Sequence, residues 1–323
     1  MNYVRLKDVE FKAGSREYVS YLLLKVDVCD QKNGGKYLNM QIGDNGKVYT
    51  GVKLFGASEN VIENIVAGKV FRGAIDAKEY NGGISLVVYN IEEDTINKVE
   101  DFLSYEAGYE EDMNTLKIAI ENLPDCYKAL VQECIGMTAG RFWYWTAAMN
   151  QHHKMIGGLV VHTCEVLEYA TKIYAVSKVK NYCDLDVLKV SCILHDVGKC
   201  LEYKVDRVGN TTKDTQGILE GHIGIGVRMI DKAVRNLKDK GIELDADKLE
   251  VVRHCILSHH GKLEYGSPVT PATVEAVILN MADLTSASLN KMGLVMESMD
   301  SGEVRSAWSS EGYQNVYKQT NMK

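Results

Sequence analysis

The stretch Ser191-Cys-Ile-Leu-His-Asp-Val-Gly-Lys199 sets an imidazole beside a carboxylate, after an apolar run and before a glycine and a lysine. Adjacent side chains diverge by about 100° on a regular helix. At a helix end, however, His195 and Asp196 can reach two sides of one cation. Imidazole with carboxylate suits borderline and hard divalent metals such as Mn, Fe, Zn or Mg. Asp196 could bridge two such ions, and Lys199 could hold a phosphate as a point charge. Taken alone, the string is explained as well by a helix that ends at Gly198.

Further groups of the same kind follow at helical spacing. His162 shares a face with Leu159 and Val166 on a helix spanning Leu159 to Val176. His222 directly follows Gly221, and His259 continues the stripe of Val252, Cys255 and Ile256. His260 points about 100° away from that stripe, and His254 lies off it. Asp283 sits on the Ala276 and Leu279 face, where an acid is costly unless paired or metal-bound. Five successive helices thus present His or Asp at an apolar face or end, and a bundle that converges such groups builds a metal site in its core. The first ion is assigned to His162, His195, Asp196 and Asp283; the second shares Asp196 and takes His222, His259 and His260. Two ions about 3.5–4 Å apart suit phosphoester hydrolysis, because they activate water, orient the phosphorus and stabilise the leaving oxygen. Lys199 and Lys262 would neutralise phosphate.

The elements that must hold these groups read as two blocks. Up to about Ile91 the chain is β structure: Tyr18 to Val28, Lys36 to Ile42, Val48 to Phe55, Val70 to Ala77 and Ile84 to Ile91. Asn33-Gly34-Gly35, Asp44-Asn45-Gly46 and Asn81-Gly82-Gly83 mark turns, and Glu59 to Ala67 has helical spacing with Gly68 as its stop. Three strands, a short helix and two more strands suit a five-stranded Greek-key barrel of the OB type. A single-strand nucleic-acid face on such a barrel needs aromatics and cations together, and Tyr37, Lys53, Phe55, Arg72 and Tyr80 are the candidates. The alternative is that some of these are core or edge residues, with Phe55 and Phe71 both interior. Glu92 to Asp112 is acidic and reads as a solvated, partly helical linker.

From Met113 the pattern is helical. Pro124 interrupts Thr115 to Met137, Arg141-Phe-Trp-Tyr-Trp145 reads as core in preference to a base-binding slot, and Gln151-His152-His153 precedes Gly157-Gly158. Leu201 to Gly221 is polar and glycine-bearing, as a mobile flap would be, and Thr270-Pro271 opens the last long helix. All eight histidines lie outside the β block. The expected division is residues 1–95 as barrel, 96–114 as acidic linker and 115–323 as helical domain.

Composition narrows the class. The 323 residues carry a net charge of −7, which removes any global basic signal for nucleic acid and leaves only a local groove to bind it. The eight cysteines form no CxxC pair, as expected of free thiols in a reducing compartment. The N-terminal residues carry no apolar leader run, and no stretch is apolar enough to span a bilayer, so a soluble cytoplasmic protein without a membrane partner is expected.

His162, His195-Asp196 and Asp283 resemble the four-part signature of the HD-domain phosphohydrolases. The barrel, Gly157-Gly-Leu-Val-Val-His162-Thr, Ile193-Leu-His-Asp-Val-Gly-Lys199, Gly221-His-Ile and Leu257-Ser-His-His-Gly-Lys-Leu-Glu-Tyr-Gly-Ser-Pro268 together resemble the YhaM-type 3′–5′ exoribonucleases, which pair an OB-fold with an HD domain. The similarity runs from about Glu17 to Ala287. It implies a metal-dependent exonuclease, with Mn the expected ion and Mg, Fe, Co or Zn the alternatives. Such an enzyme shortens single-stranded RNA from its 3′ end to nucleoside monophosphates, single-stranded DNA being left open as a substrate. By position it makes His162, His195, Asp196 and Asp283 metal ligands and His222, His259 and His260 the additional histidines, and it implies a homo-oligomer. Ser286 stands where the family pattern has a second acid, and Asn280 where a histidine is common. The alternative keeps the HD chemistry on cyclic or free nucleotides, with the barrel serving assembly or regulation.

Overall fold

The computed structural model describes residues 3–31, 34–80, 82–148, 155–206, 211–305 and 315–320, so Asn33, Asn81 and Gln151-His152-His153 lie outside the described residues. The chain separates into two compact units. One is 1–105 with 205–210, and the other is 106–204 with 211–323.

The first unit is a barrel. β1 (Val4–Arg5) runs parallel to β2 (Arg16–Asp30). β3 (Lys36–Asp44) and β4 (Lys47–Phe55) form a hairpin on the two-residue loop Asn45-Gly46, as the local signal requires. After α1 (Glu59–Asn64), β5 (Val70–Tyr80) and β6 (Gly83–Glu93) form the second antiparallel pair. β2 pairs with β3 on one side and β5 on the other, and β4 meets β6 in parallel, so the order β2-β3-β4-β6-β5 closes on itself. A register irregularity between Leu23 and Lys25 accompanies the change of partner along β2. Alternation sends Leu38, Met40, Val52 and Leu54 into the core and their neighbours outward.

Two local expectations fail here. α1 stops at Asn64 rather than Ala67, because Ile65 turns into an extended conformation and buries its side chain in the barrel core. The acidic stretch after β6 is not uniformly solvated: Phe102 is buried against Leu22 and Val70, and Asn45 N–H donates to the Phe102 carbonyl.

The second unit is helical. α2 (Tyr109–Glu121) and α3 (Asp125–Gly136) are divided at Pro124. α4 (Gly158–Val176) packs against α2, and it packs against two helices that follow it in the chain, α5 (Leu185–Leu194) and α9 (Val274–Glu297). Between these last two lie α6 (Lys199–Glu202), α7 (Thr215–Asp239) and α8 (Ala246–Ser258). Side chains of Asp184, Asp214, Asp245 and Thr273 cap α5, α7, α8 and α9 by accepting backbone N–H groups. The cap of α9 is therefore Thr273 and not Thr270, since the chain stays extended past Pro271 and Ala272 N–H donates to His254 Nε2 at 2.8 Å. The expected flap from Leu201 to Gly221 is ordered over its described residues: the end of α6, strands β7 (Tyr203–Val205) and β8 (Thr211–Lys213), and the first turns of α7. Phe142 and Trp145 are buried while Tyr144 is exposed, so the core reading holds for part of that cluster. All eight cysteines are free thiols. Among the described residues no helix is long and apolar enough to cross a membrane.

Candidate metal centre

α4 contributes His162 from a fully buried face. α5 ends at Leu194, so His195 and Asp196 leave the helix end on diverging paths into the same space. Two glycines make the next approach. A Cβ on Gly198 would sit 2.0 Å from the His222 carbonyl oxygen, so only glycine lets this turn rest on α7. Gly221 interrupts α7 at φ 65°, ψ 160°, a conformation open essentially to glycine alone, and re-aims the chain one residue before His222. His259 and His260 follow the end of α8, and Asp283 projects from the buried side of α9.

These groups assemble into two facing sets. His162 Nε2 lies 3.2 Å from His195 Nε2 and 3.2 Å from Asp283 Oδ1, and His195 Nε2 lies 4.0 Å from the same oxygen. On the other side His222 Nε2 is 3.1 Å from His260 Nε2. Asp196 stands between them. Its Oδ2 is 3.4 Å from His162 Nε2 and 3.2 Å from His195 Nε2, while its Oδ1 is 3.6 Å from His222 Nε2 and 3.8 Å from His259 Nε2. Asp283 spans the same gap more loosely, with Oδ2 3.7 Å from His260 Nδ1. His162, His195 and Asp283 form one group able to hold an ion, and His222, His259 and His260 another.

The ring orientations are set by what lies behind them. His195 Nδ1–H donates to the Cys192 carbonyl at 2.7 Å and His259 Nδ1–H to the Ile256 carbonyl at 2.7 Å. Each therefore points an Nε2 lone pair inward. Glu202, buried and paired with Lys213, holds His222 Nδ1 at 2.9 Å. Asn280 donates to the His259 carbonyl at 2.7 Å, tying α9 to the end of α8.

The donor set fits a divalent cation. Asp196 Oδ1 and His259 Nε2 are buried without a hydrogen-bond partner, two lone pairs facing one another with no proton to share. Burial, with His260 and His195 beside it, pushes the His259 imidazolium well down; burial likewise moves His260 to about 4, so both rings are neutral donors near pH 7. Burial opposes charge on Asp196 and Asp283, yet Lys199 and His195 beside the first, and His162 and His195 beside the second, hold both carboxyls well below the usual range. Neutral imidazoles and ionised carboxylates form the ligand set of a metal site.

The remaining sequence candidates sit as follows. Lys199 is buried with Nζ 2.6 Å from Asp196 Oδ2, so its charge faces a carboxylate of the centre. Lys262 is exposed, 3.3 Å from Glu264 and 5.0 Å over the Tyr265 ring, and does not join the buried set. In the barrel, Tyr37 and Phe55 are cross-strand partners stacked at 5.4 Å, and Phe55 is 49% exposed. Lys53, on the same side of β4 as Phe55, places its ammonium 5.9 Å over Tyr80. Arg72 is not brought to that patch. It lies eight residues from Tyr80 along β5, about 26 Å of strand, and its guanidinium is occupied by Glu92 at 2.8 Å and Tyr3 at 5.2 Å. Of the two phenylalanines offered as interior, Phe71 is buried and Phe55 is not. Glu202 and Glu165 escaped the sequence reading. Glu202 left no local trace, whereas Glu165, three residues after His162, shares its helix face.

Three solved structures are similar in part. The second OB-fold domain of replication protein A from Methanococcus maripaludis aligns at 13% identity over 27% of this chain and 90% of its own, TM-score 0.21. A mitochondrial single-stranded DNA binding protein from S. cerevisiae aligns at 18% identity over 26% of this chain and 97% of its own, TM-score 0.21. The HD domain of the L. monocytogenes phosphodiesterase PgpH aligns at 19% identity over 52% of this chain and 79% of its own, TM-score 0.28. The family whose model matches is the HD domain, over residues 159–288, a span that holds every histidine and aspartate of the centre. The protein is an OB-type closed barrel followed by a helical HD domain.

Proposed function

We propose that the protein is a metal-dependent 3′–5′ exoribonuclease that hydrolyses single-stranded RNA to nucleoside monophosphates, with the barrel binding the strand. The observation that carries the hydrolytic half is Asp196, whose two oxygens face two separate histidine groups. His162, His195, Asp196 and Asp283 would hold one divalent ion, and Asp196, His222, His259 and His260 a second. When bound, such a pair lowers the pKa of water and offsets charge on the phosphoryl oxygens. The protein's own part is positional. Carbonyls behind His195 and His259 fix which nitrogen faces inward, Glu202 does the same for His222, and Lys199 keeps Asp196 ionised.

The polymer half rests on the barrel. The stacked pair Tyr37–Phe55, with Lys53 and Tyr80 on the same outer side, supplies aromatic faces and a cation, the chemistry that grips an unpaired strand without reading its bases. The test is a 5′-labelled single-stranded RNA a few tens of nucleotides long, incubated with Mn or with chelator and resolved on a sequencing gel. A metal-dependent ladder shortening from the 3′ end supports the reading. Intact RNA beside hydrolysis of a cyclic or free nucleotide overturns it in favour of a nucleotide phosphodiesterase.

A further inference from the structure

His162 differs from the other inward histidines in what stands behind it. His195 and His259 lean on main-chain carbonyls of their own helix ends, and His222 leans directly on Glu202. His162 Nδ1 instead meets a hydroxyl, Ser286 Oγ on α9, at 2.9 Å. That hydroxyl has one proton, and it donates it to Glu165 Oε2 at 2.7 Å. Ser286 can therefore meet His162 only as an acceptor, so His162 Nδ1 carries a proton and Nε2 is the ring nitrogen turned toward His195, Asp196 and Asp283. Ser286 and His162 are fully buried, so solvent does not replace a lost partner.

We infer that Glu165 is the positioning carboxylate of the first metal group, acting on His162 through the Ser286 hydroxyl. The relay spans two helices. Glu165 and His162 lie one turn apart on α4, and Ser286 reaches in from α9, three residues past Asp283. The carboxylate makes the Ser286 oxygen a better acceptor, which holds the ring in the one tautomer that ligates and raises the basicity of Nε2. It also couples α4 to the helix that carries Asp283, so the two ligands are set by one chain of bonds. The inference rests on the metal-centre reading, and its experiment separates the two.

The first arm needs no metal. In histidine-labelled protein, read at alkaline pH where the ring is neutral, the ring-nitrogen shifts of His162 report the Nδ1–H tautomer; Ser286→Ala loses it and Ser286→Thr keeps it. A His162 unprotonated at Nδ1 in the parent protein, or a tautomer unmoved by Ser286→Ala, overturns the relay. The second arm is calorimetric titration with Mn. Loss of such a partner typically weakens metal binding about 10–100-fold. Ser286→Ala and Glu165→Ala should each show that loss, and the double variant should be no worse than either alone, because both break one chain. Ser286→Thr should retain affinity, and Glu165→Gln, which keeps an acceptor without the charge, should fall between. Additive losses overturn the relay. Parent protein that binds no Mn removes the metal reading and leaves the tautomer arm to decide the relay.

Discussion

Asp196 Oδ1 and His259 Nε2 face one another at 3.8 Å inside the helical unit, both buried and neither holding a hydrogen bond. A protein interior rarely tolerates two opposed lone pairs, since each unsatisfied group costs about 1–3 kcal/mol. A shared cation removes the penalty on both sides. The other oxygen of Asp196 repeats the relation with His162 and His195. Asp196, and more loosely Asp283, thus stand between the two histidine groups.

Asp196→Ala should abolish turnover and lower the bound metal per chain, while RNA binding by the barrel persists. Elemental analysis of purified protein beside a gel-based hydrolysis assay checks this. Normal metal content with normal activity contradicts the bridging role.

Metal removal should soften the helical unit. Binding that favours the folded state stabilises by about 2.7 kcal/mol at a ligand concentration 100 times the Kd. Scanning calorimetry of chelator-treated protein should therefore show a lower transition that Mn restores. A transition insensitive to both contradicts a resident ion.

Alanine at Tyr37 or Phe55 should weaken single-strand binding by about 1–3 kcal/mol per base contact, because both rings are outward on one ladder position. Arg72→Ala should cost less, its guanidinium already being paired with Glu92. Fluorescence anisotropy at one fixed salt concentration distinguishes the three, and equal losses refute the assignment of the patch.

The barrel should carry an acid-sensitive tie at Asp94. Burial alone would raise this carboxyl, but hydrogen bonds from Asn97, Ser20 and the backbone N–H groups of Ile96 and Asn97 outweigh burial and hold it low. A carboxyl lowered on folding stabilises above its unfolded pKa, about 3.9, and loses that contribution as pH falls through the lower folded value. Asp94→Asn should be less stable at neutral pH and should decline less steeply below about pH 4. Urea unfolding midpoints from pH 7 to pH 2 measure both effects; an unchanged acid slope refutes the tie.

Much of this molecule is written locally. The Asn45-Gly46 loop, the strand alternation around Met40 and Val52, the break at Pro124 and the histidine at the end of each apolar stripe all follow from neighbours a few residues away. Periodicity reports which face of its own element a residue occupies, so His162, His259 and Asp283 were legible as inward-facing. The same reasoning named the helix end at which His195 turns in, whereas the helix expected to start at His222 begins at Thr215 and is only kinked at Gly221.

Only the tertiary structure decided which partner each inward group meets. Ser286 reaches Glu165 across 121 residues, and Arg72 pairs its charge with Glu92, 20 residues on. Glu202 finds His222 because Gly198 lets two backbones nearly touch and Gly221 re-aims the chain just before the histidine. A side chain's own period carries no information about the helix or strand opposite. The sequence alone therefore determined the types of the candidate donors and the two folds that hold them, while packing decided how the rings are oriented, which charges are already matched, and that the two oxygens of Asp196 face different histidine groups.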